Sequence, residues 1–177
     1  TTLPQTLSPD HLCQAQHPFI KVPEGLEATE FSTQAITPTV ASLGVGVDGA
    51  VYAGVDGTGS LGKGPGKGKI VKLIDTDNDG KADVHTDYCM VDNPRGIISV
   101  GTKLFVLHAT WIGAKELKGM YLTVFEDANN DGKADGPGKV LISEFGTKKF
   151  NESRGIDHST NGIRMGIDGW IYVAVGD

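Results

Sequence analysis

Cysteine is almost missing from this sequence: Cys13 and Cys89 are the only two among 177 residues. No Cys-x-x-Cys-His occurs, so the stretch attaches no c-type haem. The two thiols could form one disulfide in an oxidising compartment or stand as two buried thiols, and spacing leaves both open. Basic character is lacking too. The net charge is −6, and no basic cluster interleaved with aromatics occurs, which argues against a nucleic-acid surface. No apolar run approaches the ~20 residues of a membrane-spanning helix. The chain begins at Thr1 rather than Met. That fits the expectation of a removed secretory leader and a periplasmic or secreted protein.

Glycine, by contrast, is plentiful at 25 residues, while hydrophobic content is a modest 38%. That balance suits a turn-rich all-β protein rather than a helical one. The length is that of one domain. Residues 1–36 read as an N-terminal arm, because Pro4, Pro9, Pro18 and Pro23 interrupt regular elements and Thr, Gln and Ser fill the gaps. Ser8 to Leu12 could begin one helical turn. Val22 to Leu26 predicts a turn leading into a first strand, Glu27 to Ser32.

The stretch Asp75-Thr76-Asp77-Asn78-Asp79-Gly80-Lys81-Ala82-Asp83 returns 52 positions later as Asp127-Ala128-Asn129-Asn130-Asp131-Gly132-Lys133-Ala134-Asp135. Acidic or amide side chains stand at loop positions 1, 3, 5 and 9, with Gly at 6. A hard cation such as calcium takes about six to eight oxygen ligands; this spacing turns alternate side chains inward, and Gly permits the sharp bend. The expected ligands are Asp75, Asp77, Asp79, the Lys81 carbonyl and Asp83 in the first loop. In the second they are Asp127, Asn129, Asp131, the Lys133 carbonyl and Asp135. Neither loop is an EF-hand, since the position of the bidentate Glu is Thr86 in one and Gly138 in the other. The flanks Lys69 to Ile74 and Met120 to Phe125 are β-branched or aromatic runs of strand length, so each loop joins two strands of a hairpin. A solvated Asp/Gly turn without a cation is the competing reading.

A second pattern begins at Val40. Gly46-Val47-Asp48-Gly49-Ala50-Val51-Tyr52-Ala53-Gly54-Val55-Asp56 reads as two short strands about an Asp-Gly turn. The run from Gly166 to Asp177 is the same unit, and Gly96 to Leu107 is a degenerate copy between them. Tyr52, Phe105 and Tyr172 mark the three copies at spacings of 53 and 67 residues. Four short strands per ~40–50 residues is the pattern of a β-propeller blade. Residues 37–177 therefore read as two blades and the first hairpin of a third. A propeller ring must close to bury every blade face. The remaining blades are expected from a longer chain or a second polypeptide.

Two segments exceed the repeat. The run from Gly57 to Lys69 is Gly- and Lys-rich, but no Lys in it is followed by Ser or Thr and no helix pattern follows, so it reads as a plain loop rather than a phosphate cradle. The other, Gly136 to Asn161, contains the sequon Asn151-Glu152-Ser153 and ends in Arg154-Gly155-Ile156-Asp157-His158-Ser159-Thr160-Asn161-Gly162. His158 has Asp157 beside it in a polar, turn-rich setting. A neutral imidazole can take a proton from a substrate hydroxyl while a carboxylate orients it. A plain surface His is the alternative. His108 ends a strand and reads as structural.

Asp157-His158 followed by Gly166-Ile167-Asp168-Gly169-Trp170-Ile171-Tyr172-Val173-Ala174-Val175-Gly176-Asp177 resembles the soluble quinoprotein glucose and sorbosone dehydrogenases. Val22-Pro23-Glu24-Gly25 together with the Asp-rich loops is more similar to their planctomycete and verrucomicrobial relatives, the membrane-bound dehydrogenase-like proteins with a cytochrome c domain further on. The resemblance covers most of residues 22–177. It implies a six-bladed propeller, an extracytoplasmic location, calcium and pyrroloquinoline quinone as cofactors, a cytochrome c domain or protein as partner, and a sugar or polyol as substrate. It places the catalytic base on His158, with Asp157 beside it. The match departs at Gly162, where the family carries Arg; Arg164 follows two residues on. The residues that hold the quinone belong to later blades. The two Asp-rich loops, at outer hairpins, are structural rather than the family's catalytic calcium site. Two other classes stay open: a non-catalytic calcium-binding propeller that serves as a docking module, and a metal-dependent lactonase-type propeller.

Overall fold

The computed structural model describes residues 20–57, 64–114, 116–146, 155–158 and 160–176. Asp-Gly turns set its inner hairpins. Gly46 N–H donates to the Ala50 carbonyl at 2.8 Å, Gly49 N–H to the Gly46 carbonyl at 3.1 Å, and Asp48 Oδ1 accepts from Ala50 N–H at 3.2 Å. The same three bonds recur at Gly166 to Trp170, at 2.8, 3.0 and 3.1 Å. Gly49 and Gly169 sit at φ +81° and +80°, which a side chain resists.

The chain is all-β and forms part of a β-propeller. Strands β1 (Val40–Val45), β2 (Val51–Val55), β3 (Lys69–Ile74) and β4 (Val84–Met90) make one antiparallel sheet in chain order, here blade 1. Strands β5 (Asp92–Val100), β6 (Lys103–Ile112), β7 (Glu116–Glu126) and β8 (Lys139–Phe145) make blade 2 in the same order. A 3-10 turn, Ile156–His158, leads to the hairpin of β9 (Thr160–Met165) and β10 (Ile171–Val175), the described part of blade 3. The first strands of the three blades, β1, β5 and β9, lie next to one another, so they are the inner strands. Pro94 is tolerated inside β5 because that strand is a sheet edge and a missing donor there breaks no ladder.

The core lies between blades. Period-two alternation sends Tyr52 to one face of blade 1 and Ala53 and Val55 to the other. On the first face Tyr52, Ile70 and Tyr88 meet Leu104, Val106 and Phe125 of blade 2 in one buried cluster. Tyr52 and Tyr88 meet edge to face, with ring centroids 5.4 Å apart. Burying one side chain of this size contributes about 1.5–3 kcal/mol, so this seam is a main source of cohesion between the blades.

In the arm, the expected turn forms: Leu26 N–H donates to the Pro23 carbonyl at 3.1 Å around Gly25, whose φ is +85°. The expected strand from Glu27 to Ser32 does not. A strand needs a ladder, and among the described residues no strand runs alongside this segment. The expected helical turn at Ser8 to Leu12 and the residue Cys13 lie outside the described residues. Cys89 is a half-buried free thiol.

Candidate functional site

The two acidic loops have one architecture. The opening Asp folds back on the loop. Asp75 Oδ1 accepts from Asn78 N–H at 2.7 Å and Oδ2 from Gly80 N–H at 2.9 Å. Asp127 does the same with Asp131 and Gly132, at 3.0 Å each. The closing Asp ties down the second residue: Asp83 Oδ2 accepts from Thr76 N–H at 2.7 Å, and Asp135 Oδ2 from Ala128 N–H at 2.8 Å. Asn78 and Asn130 adopt φ +61° and +56°, and Gly80 and Gly132 +85° and +86°. Asn is among the few side chains that accept this region, which is why the repeat keeps Asn then Gly at these places.

The loops differ in how many carboxylates they converge. In the first, oxygens of Asp75, Asp77 and Asp83 lie within 4.8 Å of one another and could hold a metal ion. Asp79 stands apart from that trio. Its Oδ1 accepts from Lys81 N–H at 2.9 Å, and its Oδ2 is 3.9 Å from Lys81 Nζ. The second loop gathers no such trio among the described residues. There Asn129 replaces an acid and donates from Nδ2 to Asp131 Oδ2 at 3.2 Å, while Lys133 N–H donates to Asp131 Oδ1 at 2.9 Å. The Asp83 carboxyl is held below its ordinary range, first by the Thr76 hydroxyl and then by the Thr76 amide.

Each loop also clamps what precedes it. Ala134 N–H donates to the Tyr88 carbonyl in the outer strand of blade 1, at 2.9 Å. Ala82 N–H donates to the Phe31 carbonyl in the arm, at 2.8 Å.

A cavity of about 500 Å³ opens where the inner strands meet, with Ser42, Arg95, Asn161, Arg164 and Tyr172 among its lining residues. Arg95 is buried, and its Nη2 approaches Asp56 Oδ2 at 2.7 Å. Asn93 Nδ2 donates to Asp56 Oδ1 at 2.9 Å, and Trp111 Nε1 donates to Asn93 Oδ1 at 3.1 Å. Asp56, Arg95, Asn93 and Trp111 thus form one buried polar network joining blades 1 and 2. Sequence reasoning missed it. The signal was there in Asp92-Asn93-Pro94-Arg95-Gly96, a polar run at the head of an otherwise apolar strand.

His158 is exposed at the end of the 3-10 turn, two residues before β9, with its amide donating to the Gly155 carbonyl at 3.3 Å. The Asp157 side chain and Asn151-Glu152-Ser153 lie outside the described residues. His108 does not end a strand as expected: it lies half-buried inside β6, paired with Tyr121 of β7. Its Nδ1 is 2.8 Å from the Ala109 carbonyl, so that nitrogen carries the proton, and Nε2 accepts from Thr123 Oγ1 at 2.9 Å. Burial lowers its pKa.

Fold and loops together define part of a β-propeller with an acidic clamp in blades 1 and 2. The chain belongs to the DUF7133 family, a domain of unknown function, whose model matches residues 14–177. No curated protein and no solved structure matches it.

Proposed function

We propose that this domain is part of an extracytoplasmic quinoprotein-type oxidoreductase that oxidises a sugar or polyol hydroxyl on a calcium-braced, six-bladed propeller. The supporting observation is the placement of His158. The turn that ends on it leads to β9, and Asn161 and Arg164 of β9 line the axial cavity. In this scheme His158 takes the substrate's hydroxyl proton as the hydride leaves carbon. Pyrroloquinoline quinone, when bound, accepts that hydride. Arg164 and Asn161 suit carboxylates as donors, whereas the charge of Arg95 is already met by Asp56. The remaining blades come from a longer chain or a second polypeptide, and a cytochrome c domain or protein takes the electrons.

Calcium is the cation proposed for the loop of Asp75, Asp77 and Asp83. Ligand oxygens on opposite sides of calcium stand roughly 5 Å apart, twice its bond length of about 2.3–2.6 Å. Oxygens of the three carboxylates all lie within 4.8 Å of one another, which is compatible with that.

The test is dye reduction by the full-length protein loaded with pyrroloquinoline quinone and calcium, across a panel of sugars and polyols. His158→Ala should lower turnover by about 10²–10⁴-fold and leave the circular dichroism spectrum unchanged, because His158 is exposed. A fully active variant, or a wild type inert towards every substrate, favours the docking module instead.

A further inference from the structure

The arm does not merely drape over blade 1. Thr29-Glu30-Phe31 recurs as Thr86-Asp87-Tyr88, 57 residues on. The second copy lies in β4, the outer strand of blade 1. The first lies in the arm, where no sheet among the described residues takes it up.

Its contacts are those of an outer strand. The Phe31 carbonyl receives the loop amide of Ala82 as the Tyr88 carbonyl receives that of Ala134. A Cβ on Gly80 would meet Thr29 Oγ1 at 3.2 Å, and one on Gly132 would meet Thr86 Oγ1 at 3.6 Å. Phe31 packs on the cluster of Ala53 and Leu73, alongside Ala82. Tyr88 packs in the cluster of Val106 and Phe125, alongside Ala134. Those are equivalent positions one repeat further on. Blade 1 therefore receives from the arm what blade 2 receives from β4.

No further strand of such a preceding blade occurs among the described residues. Leu43 of β1 is 63% exposed, whereas Ile97 and Ile163 at the same place in β5 and β9 are 6% and 8% exposed. Ile97 sits over Gly44 of blade 1, and Ile163 over Gly96 of blade 2. By the same pattern, a residue covering Leu43 would belong to the inner strand of a blade before it.

We infer that residues 28–32 are the outermost strand of a further blade, whose three inner strands come from elsewhere in the same propeller ring and cover Leu43. Chain-distant strands would then share one sheet and latch the ring shut. Glu27 to Ser32 is short, which suits an edge that adds to a preformed three-stranded sheet.

Hydrogen exchange by mass spectrometry on the full-length protein tests this. The peptide covering 27–33 should exchange as slowly as the one covering 84–90, at least about 100-fold below the rate of unstructured chain. In a background with both cysteines changed to Ser, Leu43→Cys should resist a water-soluble thiol reagent until the protein is denatured. Free exchange of 27–33, or immediate labelling of Leu43→Cys, overturns the inference. So does a photo-crosslinker on Glu30→Cys that yields light-to-heavy products in isotopically mixed protein at the statistical proportion, since that places the partner sheet in a second copy.

Discussion

The Ala134 amide of blade 2 reaches the Tyr88 carbonyl of blade 1 across 2.9 Å. This one bond shows what the acidic loops are for. Each loop turns its Ala amide outward, Ala134 onto the outer strand of blade 1 and Ala82 onto Phe31 of the arm. Whatever rigidifies the loop also fixes one blade against the next.

Removal of the cation should loosen that clamp. A cation that binds only the folded state at a hundredfold excess over Kd stabilises by about 2.7 kcal/mol, so chelation should lower Tm by roughly 5–10 °C for a domain of this size. Asp77→Ala is the sharp variant. The one described loop bond of its side chain is to Asp79 N–H at 3.2 Å, so the change should remove most of the chelator effect and leave the metal-free Tm almost unmoved. Asp75→Ala removes the bonds to Asn78 and Gly80 as well and should lower Tm with or without chelator.

The pair Arg95 and Asp56 is buried on both sides. Arg95→Met should cost about 3–5 kcal/mol, because a buried carboxylate loses its counter-charge. Adding Asp56→Asn should recover part of that, since the amide oxygen still accepts from Asn93. Urea unfolding of the two single variants and the double variant reads the coupling directly. Additive costs would show that the ion pair is incidental.

Acid should weaken the fold in two stages. His108 has its pKa lowered by burial, so the unfolded chain binds its proton more readily. Its contribution is complete above the unfolded value of about 6.5 and is lost as pH falls below it. Asp83 and Asp168 are depressed by the hydroxyls of Thr76 and Tyr172; their contributions hold above the ordinary carboxylate range and fade as pH falls below it. His108→Gln should flatten the Tm profile between about pH 5 and 7 and leave the second stage in place. An unchanged upper stage contradicts this.

Cys89 should behave as an inert thiol. Burial pushes its pKa up to about 12. At pH 8 about one part in 10⁴ is then thiolate, against roughly a quarter for an ordinary cysteine. Iodoacetamide should therefore modify native Cys89 more than about a thousandfold slower than a free thiol. Denaturation without reductant should expose it to rapid labelling. Failure to label after denaturation would show a bridge to Cys13.

Much of this was legible beforehand, and the gaps have physical causes. The hairpins around Asp48-Gly49 and Asp168-Gly169 follow from local turn chemistry, which a sequence carries in a few residues. The loop geometry follows likewise from Asp, Asn and Gly at fixed places. Asp79 was expected among the ligands, yet the neighbouring Lys81 amide and ammonium hold it away from the trio, a local competition that residue spacing does not reveal. The strand expected from Glu27 to Ser32 depends on a ladder partner that is not nearby in sequence. The network of Asp56, Asn93, Arg95 and Trp111 assembles from residues of two blades, so no single stretch announces it.

The most direct test is a crystal structure of the full-length protein grown in millimolar calcium. An ion bound to Asp75, Asp77 and Asp83 through oxygen alone, at about 2.3–2.6 Å, is the predicted result, with weaker or partial density at Asp127 and Asp131. Empty loops in such crystals, together with a Tm that ignores chelator, would show the repeats to be plain turns and contradict the cation-braced propeller.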